Sequence, residues 1–216
     1  MAYRGEVDAY GPADFRRLPD LLVAKMGLGP AGVNGYVLRC LRTEAQRLVD
    51  AADDPLFVGA ITSSRSLEAI VTTHGHAPHT RALAELAETT HAVTVAHAAD
   101  ADALPVSPTR VVGDGEVLNI GEVPLTVVHL PGHSPGSIGL LYSPSDGSAP
   151  HLFSGDALLQ GGRGSTSTPE DEARLQDVLR RSVFEVLPDD TWVYPGHGPD
   201  TTVGAERARL LEAARS

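Results

Sequence analysis

"THGHAPHT", residues 73–80, sets three histidines at spacings of two and then three, with a proline directly before the last. The run "LEAIVTT" from residue 67 that leads into it reads as a strand. In extended backbone, residues two apart project to the same side, so His74 and His76 can reach one cation together. His79 lies at the start of a helical pattern and turns toward a neighbouring position. Further candidates sit at strand ends beside glycine or proline: His133 in "PGHSPGS", Asp156 in "FSGDALL" and His197 in "YPGHG". Loops at strand ends are where a scaffold presents functional groups, and small neighbours let a ligand approach the backbone closely. Three imidazoles with one open coordination place make a hydrolytic zinc site, in which the bound water has its pKa lowered to about 7. His91, His97, His129 and His151, the other four of nine histidines, read as ordinary surface or core residues.

Outward from that segment, short apolar runs alternate with helical patterns. "LLVAK" from 21, "NGYVLRC" from 34, "AQRLVDA" from 45 and "HAVTVAH" from 91 read as further strands. "PHTRALAELAE" reads as a helix, with Leu83, Leu86 and Ala87 on one face and Pro78 in its first turn. From "TRVVGDGEVLNIGEVPLTVVHLPGH" the spacing predicts consecutive antiparallel strands, followed by more at "SIGLLYS" and "HLFSG". Residues 169–187 read as a helix capped by Thr168, with Pro169 first and acidic residues in the opening turn. "TWVYPGHG" adds a strand and turn, and "GAERARLLEAARS" a final helix. Strands followed by helices in each half predict two packed sheets with helices outside, and 143–150, "SPSDGSAP", is the expected exposed loop between the halves.

Composition narrows the class. With 216 residues and 42% hydrophobic content, the chain can bury a substantial core, and residues 1–216 are expected to form one domain. A net charge of −11 and a single lysine, Lys25, leave no basic stripe for a phosphate backbone, so nucleic acid is not an expected partner. The amino-terminal stretch has no apolar signal region, and no run of about 18 uncharged apolar residues occurs. A cytoplasmic protein without a membrane segment, acting on a small molecule, is expected. Cys40 reads as a small buried hydrophobe and cannot form an intrachain disulfide. No heptads or other assembly signature speak to oligomeric state.

Four separated motifs, "TTHGHAPH", "LPGHSPGS", "FSGD" and "YPGHG", resemble in type and order the motif series of the metallo-β-lactamase fold superfamily, specifically its glyoxalase II-like hydrolases. The resemblance implies an α/β fold, an αββα sandwich of two mixed β-sheets flanked by helices, with a metal site at one edge. It implies that His74, His76 and His133 hold a first metal and that His79 and His197 hold a second, with Asp156 bridging. Zinc, one or two per chain, is the implied cofactor, with iron an alternative. By the same resemblance Asp156 and His197 carry catalytic roles, and a metal-bound hydroxide attacks a small ester, thioester or lactone.

One position departs from the pattern. The family reads H-x-H-x-D-H, and this chain has Pro78 in place of the aspartate, which normally ligates the second metal and orients the attacking water. Proline has no ligating side chain and no N–H, yet it suits the start of a helix and so keeps the loop in shape. Three readings follow: a second site held by His79, Asp156 and His197 alone; a mononuclear centre; or a site recruited to binding or a non-hydrolytic step. A single metal on His74, His133 and Asp156 would be a 2-His-1-carboxylate set suited to iron and oxygen, resembling the superfamily's persulfide dioxygenases.

Among substrates, a glutathione thioester is not expected, because only 19 residues follow His197 where glyoxalase II enzymes carry an added helical region. The glycine-rich stretch 158–168 reads either as a substrate-facing loop, with Arg163 pairing a carboxylate or phosphate, or as an ordinary loop into a helix cap. Tyr36, Trp192 and Tyr194 are expected in the core rather than the pocket.

Overall fold

The computed structural model describes residues 2–62 and 67–213, with side chains to residue 209; the end of the expected final helix, 214–216, lies outside the described residues. Seven strands build the first sheet in chain order: β1 (Asp14–Arg17), β2 (Leu21–Leu28), β3 (Val33–Cys40), β4 (Gln46–Val49), β5 (Leu67–Val71), β6 (Val93–His97) and β7 (Arg110–Val112). Pairing is antiparallel from β1 to β4 and parallel from β4 to β7. The second sheet holds β8 (Val117–Ile120), β9 (Val123–His129), β10 (Ile138–Tyr142), β11 (His151–Gly155), β12 (Trp192–Pro195) and β13 (Thr201–Thr202). Its order is β13-β12-β11-β10-β9-β8, antiparallel except for the β11–β12 pair. Both sheets are therefore mixed.

The apolar runs are nearly continuous because both faces of the central strands are covered. Along β2, Leu21 and Val23 point between the sheets, whereas Ala24, Met26 and Leu28 point outward under α1 (Pro55–Ile61) and α2 (Leu83–Thr90). In β11, Phe153 faces the first sheet, and Leu152 packs outward with Leu175, Leu179 and Val203 of α3 (Pro169–Leu179) and α4 (Val203–Ala213). Each large side chain so buried contributes about 1.5–3 kcal/mol. The result is the expected αββα sandwich. Among the described residues no helix is long and apolar enough to cross a membrane.

Strand direction positions the site. β9, β11 and β12 run the same way in the second sheet, so the loops after them emerge together beside the loop after β5. His74, His133, Asp156 and His197 all follow the carboxyl ends of strands, where ligands bind in open α/β sheets.

Several expectations shift. Residues 143–150 join β10 to β11 within the second sheet and do not separate the halves; their Ser, Pro, Asp and Gly content marks an exposed turn but not which elements it connects. The crossing falls at 113–116, because β7 pairs in parallel with β6 and so belongs to the first sheet. Around Pro78 the chain forms a short 3₁₀ turn, Ala77–His79, and the α-helix begins only at Leu83. The 169–187 helix is α-helical to Leu179 and widens into a π turn, Arg180–Phe184. Thr168 caps it as expected, its hydroxyl accepting from the Asp171 N–H at 3.1 Å.

Candidate metal centre

All six predicted residues converge at one edge of the sandwich. Asp156 Oδ2 lies 3.4 Å from His197 Nε2, 3.5 Å from both His79 Nε2 and His133 Nε2, and 3.9 Å from His74 Nε2. His76 Nδ1 is 2.9 Å from His133 Nε2, and His79 Nε2 is 3.2 Å from His197 Nε2. Among the described residues Asp50, His74 and His79, all after strands of the first sheet, bring their ligand atoms within 4.8 Å of one another, and so do the two donor groups that span the sheets, His74–His76–His133 and His79–Asp156–His197. His74, His79, His133 and Asp156 are buried, His197 is half-buried and His76 is exposed.

Partners outside the cluster set which ring nitrogens face in. His133 Nδ1 lies 2.7 Å from the Ser165 carbonyl, which can only accept, so Nδ1 carries the hydrogen and Nε2 presents its lone pair inward. His79 Nδ1 donates to Asp50 Oδ2 at 2.9 Å with the same consequence. The Thr73 hydroxyl gives its hydrogen to Asp50 Oδ2 at 2.8 Å, so it accepts from His74 Nδ1 at 3.0 Å, and His74 Nε2 also points inward as an acceptor. Metal-binding histidines are oriented in this way, by donating the distal N–H to a carboxylate or carbonyl.

The residues fit a divalent cation. His74 Nε2 and Asp156 Oδ1 are buried without a hydrogen-bond partner, a condition that costs about 1–3 kcal/mol per group and that a coordinated ion relieves. The space beside Asp156 depends on glycine: a Cβ at Gly196 would collide with Asp156 Oδ1. One at Gly155, whose φ is +51°, would stand 2.7 Å from Thr73 Oγ1. Burial opposes charge on His79, but hydrogen bonds to Asp156 and Asp50 outweigh it and push the imidazole up to about 10. Asp156 is held well below the usual carboxylate range, since bonds from His197 and His79 overcome its burial. His74, by contrast, is pushed well down by burial and by the neighbouring His79. A divalent cation held by Asp156 and His79 would take the place of the proton they otherwise share.

Two residues of the centre escaped the sequence reading. Asp50, directly after β4 in a left-handed conformation with φ 58°, accepts from the Thr73 N–H at 2.8 Å as well as from Thr73 Oγ1 and His79. An acid closing an apolar strand was its signal. Asp100, in a 3₁₀ segment after β6, accepts from Gly75 N at 2.7 Å, Ser134 Oγ at 2.6 Å and Gly136 N at 2.7 Å, tying the His76 loop to the His133 loop. Nothing in the sequence distinguished it from the other acids.

Position 78 supplies no donor, as its side chain dictates. Arg163, read as a possible substrate partner, instead pairs with Glu172, which also accepts from Thr166 Oγ1 at 3.0 Å. The loop thereby fastens to α3. Tyr36 and Tyr194 lie between the sheets, and Trp192 packs against them, as expected.

Two mixed sheets, outer helices and a histidine-aspartate cluster at the carboxyl ends of the strands define a metallo-hydrolase architecture. The family model described as "Metallo-beta-lactamase superfamily" matches residues 62–197, and the chain belongs to that superfamily. It is 29% identical over 177 residues to the "Probable hydroxyacylglutathione hydrolase glo2" of Schizosaccharomyces pombe, covering 80% of this chain and 66% of that protein, so the chain spans about two thirds of that relative's length. It is 31% identical to the "Probable metallo-hydrolase YqgX" of Bacillus subtilis, covering 85% of this chain and 93% of the relative. The crystal structure of "TTHA1623 in a di-iron-bound form" superposes with a TM-score of 0.69 at 32% identity, over 85% of this chain and 96% of that one.

Proposed function

We propose that the chain is a hydrolase of small acyl compounds, an ester, thioester or lactone, acting with a divalent cation held by His74, His76, His133, His79, Asp156 and His197. The observation that carries this reading is the convergence of inward-facing imidazole nitrogens on Asp156 Oδ2, with His74 Nε2 and Asp156 Oδ1 otherwise unpartnered. When bound, such a cation supplies Lewis acidity toward the carbonyl oxygen and a water acidic enough to attack at neutral pH. The chain's own residues do the rest. Asp156 or a second water would take the proton-handling role, and His197, about a third exposed, orients the substrate side of the site. Asp50 and Ser165 hold His79 and His133 in register.

Zinc is the proposed cation, and the di-iron form of the 32%-identical neighbour makes iron the specific rival to test. The test is a panel of thioesters, esters and lactones, with a glutathione thioester included because of the Schizosaccharomyces relative's name, alongside elemental analysis. His133→Ala and His76→Ala are expected to lose the equivalent held by the first group and to abolish hydrolysis. Full turnover in either variant would overturn the assignment.

A further inference from the structure

The loop that carries His197 belongs to the second sheet but is gripped by the first. Asn34 in β3 is 3% exposed, and its Nδ2 donates to the carbonyls of Pro195 at 2.9 Å and Gly198 at 2.8 Å, on either side of the histidine. Its backbone N–H donates to the Gly196 carbonyl at 2.7 Å, and Val33 pairs with His197 in an isolated antiparallel bridge. Tyr36 Oη adds a 2.7 Å bond to the Pro195 carbonyl. Behind these, Lys25 is 0% exposed and spends all three ammonium hydrogens, on Gly198 O and Gly5 O at 2.9 Å each and on Asp200 Oδ1 at 2.6 Å. Asp200 is itself held by Tyr3 Oη at 2.6 Å and Trp192 Nε1 at 2.8 Å.

Stability alone is a poor reason for this arrangement. Removing a lysine and an aspartate from water costs several kcal/mol per ion, and apolar residues of similar volume would often serve as well. Burial pulls Lys25 down from its ordinary value and Asp200 up, with the pairing opposing both. What the polar cluster achieves, and an apolar one would not, is a fixed position for three consecutive-turn carbonyls around one imidazole.

We propose that Asn34, supported by Tyr36 and Lys25, is the positioning residue for His197 and thereby sets the cation affinity of the His79–Asp156–His197 group. This rests on the metal centre proposed above. With proline at 78 that group has three donors, the minimum for a catalytic zinc, so a displaced His197 leaves only two. None of the clamp's hydrogen bonds goes to the His74–His76–His133 group, so its donors stay aimed when the clamp is loosened.

The test is zinc titration of the full chain against a chromophoric chelator, resolving the first and second equivalents, for Asn34→Ala and Tyr36→Phe in the native and Pro78→Asp backgrounds. Asn34→Ala is expected to weaken the second equivalent by about 10- to 100-fold, the usual cost of losing an orienting partner, and leave the first within about twofold. Tyr36→Phe, which removes one hydroxyl without changing shape, moves the second equivalent in the same direction by a smaller factor and carries the test if Asn34→Ala does not fold. In the Pro78→Asp background the restored ligand shrinks both losses. Equal weakening of both equivalents, or an unchanged second one, would overturn the proposal. Parent proteins that bind no zinc, or never take a second equivalent even with Pro78→Asp, would overturn the metal-centre reading itself, a result visible without any clamp variant.

Discussion

The two donor groups of the centre are built from the same elements to different standards. His74, His76 and His133 form a group with no carboxylate of its own, partly open at His76, and its loops are tied together through the backbone by Asp100. His79, Asp156 and His197 form a group with a central carboxylate, backed by Asp50 and clamped from the opposite sheet, yet Pro78 gives it no further donor. The second group is short of a donor at position 78 although its supports are complete. A loop whose supports persist keeps donors aimed at a common point, so the expectation is unequal cation affinity rather than an abandoned site.

The two supporting acids, Asp50 and Asp100, serve the donor groups unequally. Asp50 touches His79 directly and reaches His74 through Thr73, so Asp50→Ala should weaken both equivalents, by about 10- to 100-fold each, and lower the melting temperature because the buried Thr73 N–H loses its partner. Chelator competition and thermal unfolding check this. Asp100→Ala should be milder and one-sided. It loosens Gly75, Ser134 and Gly136, which flank ligands of the first group only, so the first equivalent weakens and the second holds. A symmetric loss in the Asp100 variant would show that the groups are not separable.

The smallest expected effect lies at the far end of the sandwich, where His151 opens β11. It is buried, shares a 3.1 Å bond with Tyr194 Oη and stacks on Tyr142; burial, followed by the charge of Arg16, lowers it from 6.5 to about 4. The folded state keeps it neutral while the unfolded chain takes up a proton below 6.5. Stability should therefore fall as pH drops from about 6.5 to about 4 and lose this dependence below that. His151→Phe should flatten that part of the urea-unfolding profile without touching zinc affinity. An unaltered slope would mean that other groups dominate acid sensitivity.

How much of this the sequence showed depends on the kind of residue. The candidate ligands could be picked out because few side chains bind metals and because each stood at a strand end beside glycine or proline, as with His133 in "PGHSPGS" and His197 in "YPGHG". Their supports were not. Asp100 works by accepting backbone N–H groups, and Lys25 meets Asp200 across 175 residues, so neither leaves a local pattern. The same holds for sheet membership: "RVVGDGEVLNI" reads as one antiparallel run, whereas its first strand pairs with β6 and its second with β9. Pairing is decided by what else each strand must cover, which local alternation does not record.

Whether the centre has one complete and one depleted donor group shows in its metal content. Elemental analysis would compare the wild-type chain, purified without added metal, with Pro78→Asp. At least one equivalent is expected in the wild type and a rise toward two in the variant, with the first group's equivalent lost in His133→Ala. Metal-free protein, or a count that does not move on introducing the aspartate, would rule this arrangement out.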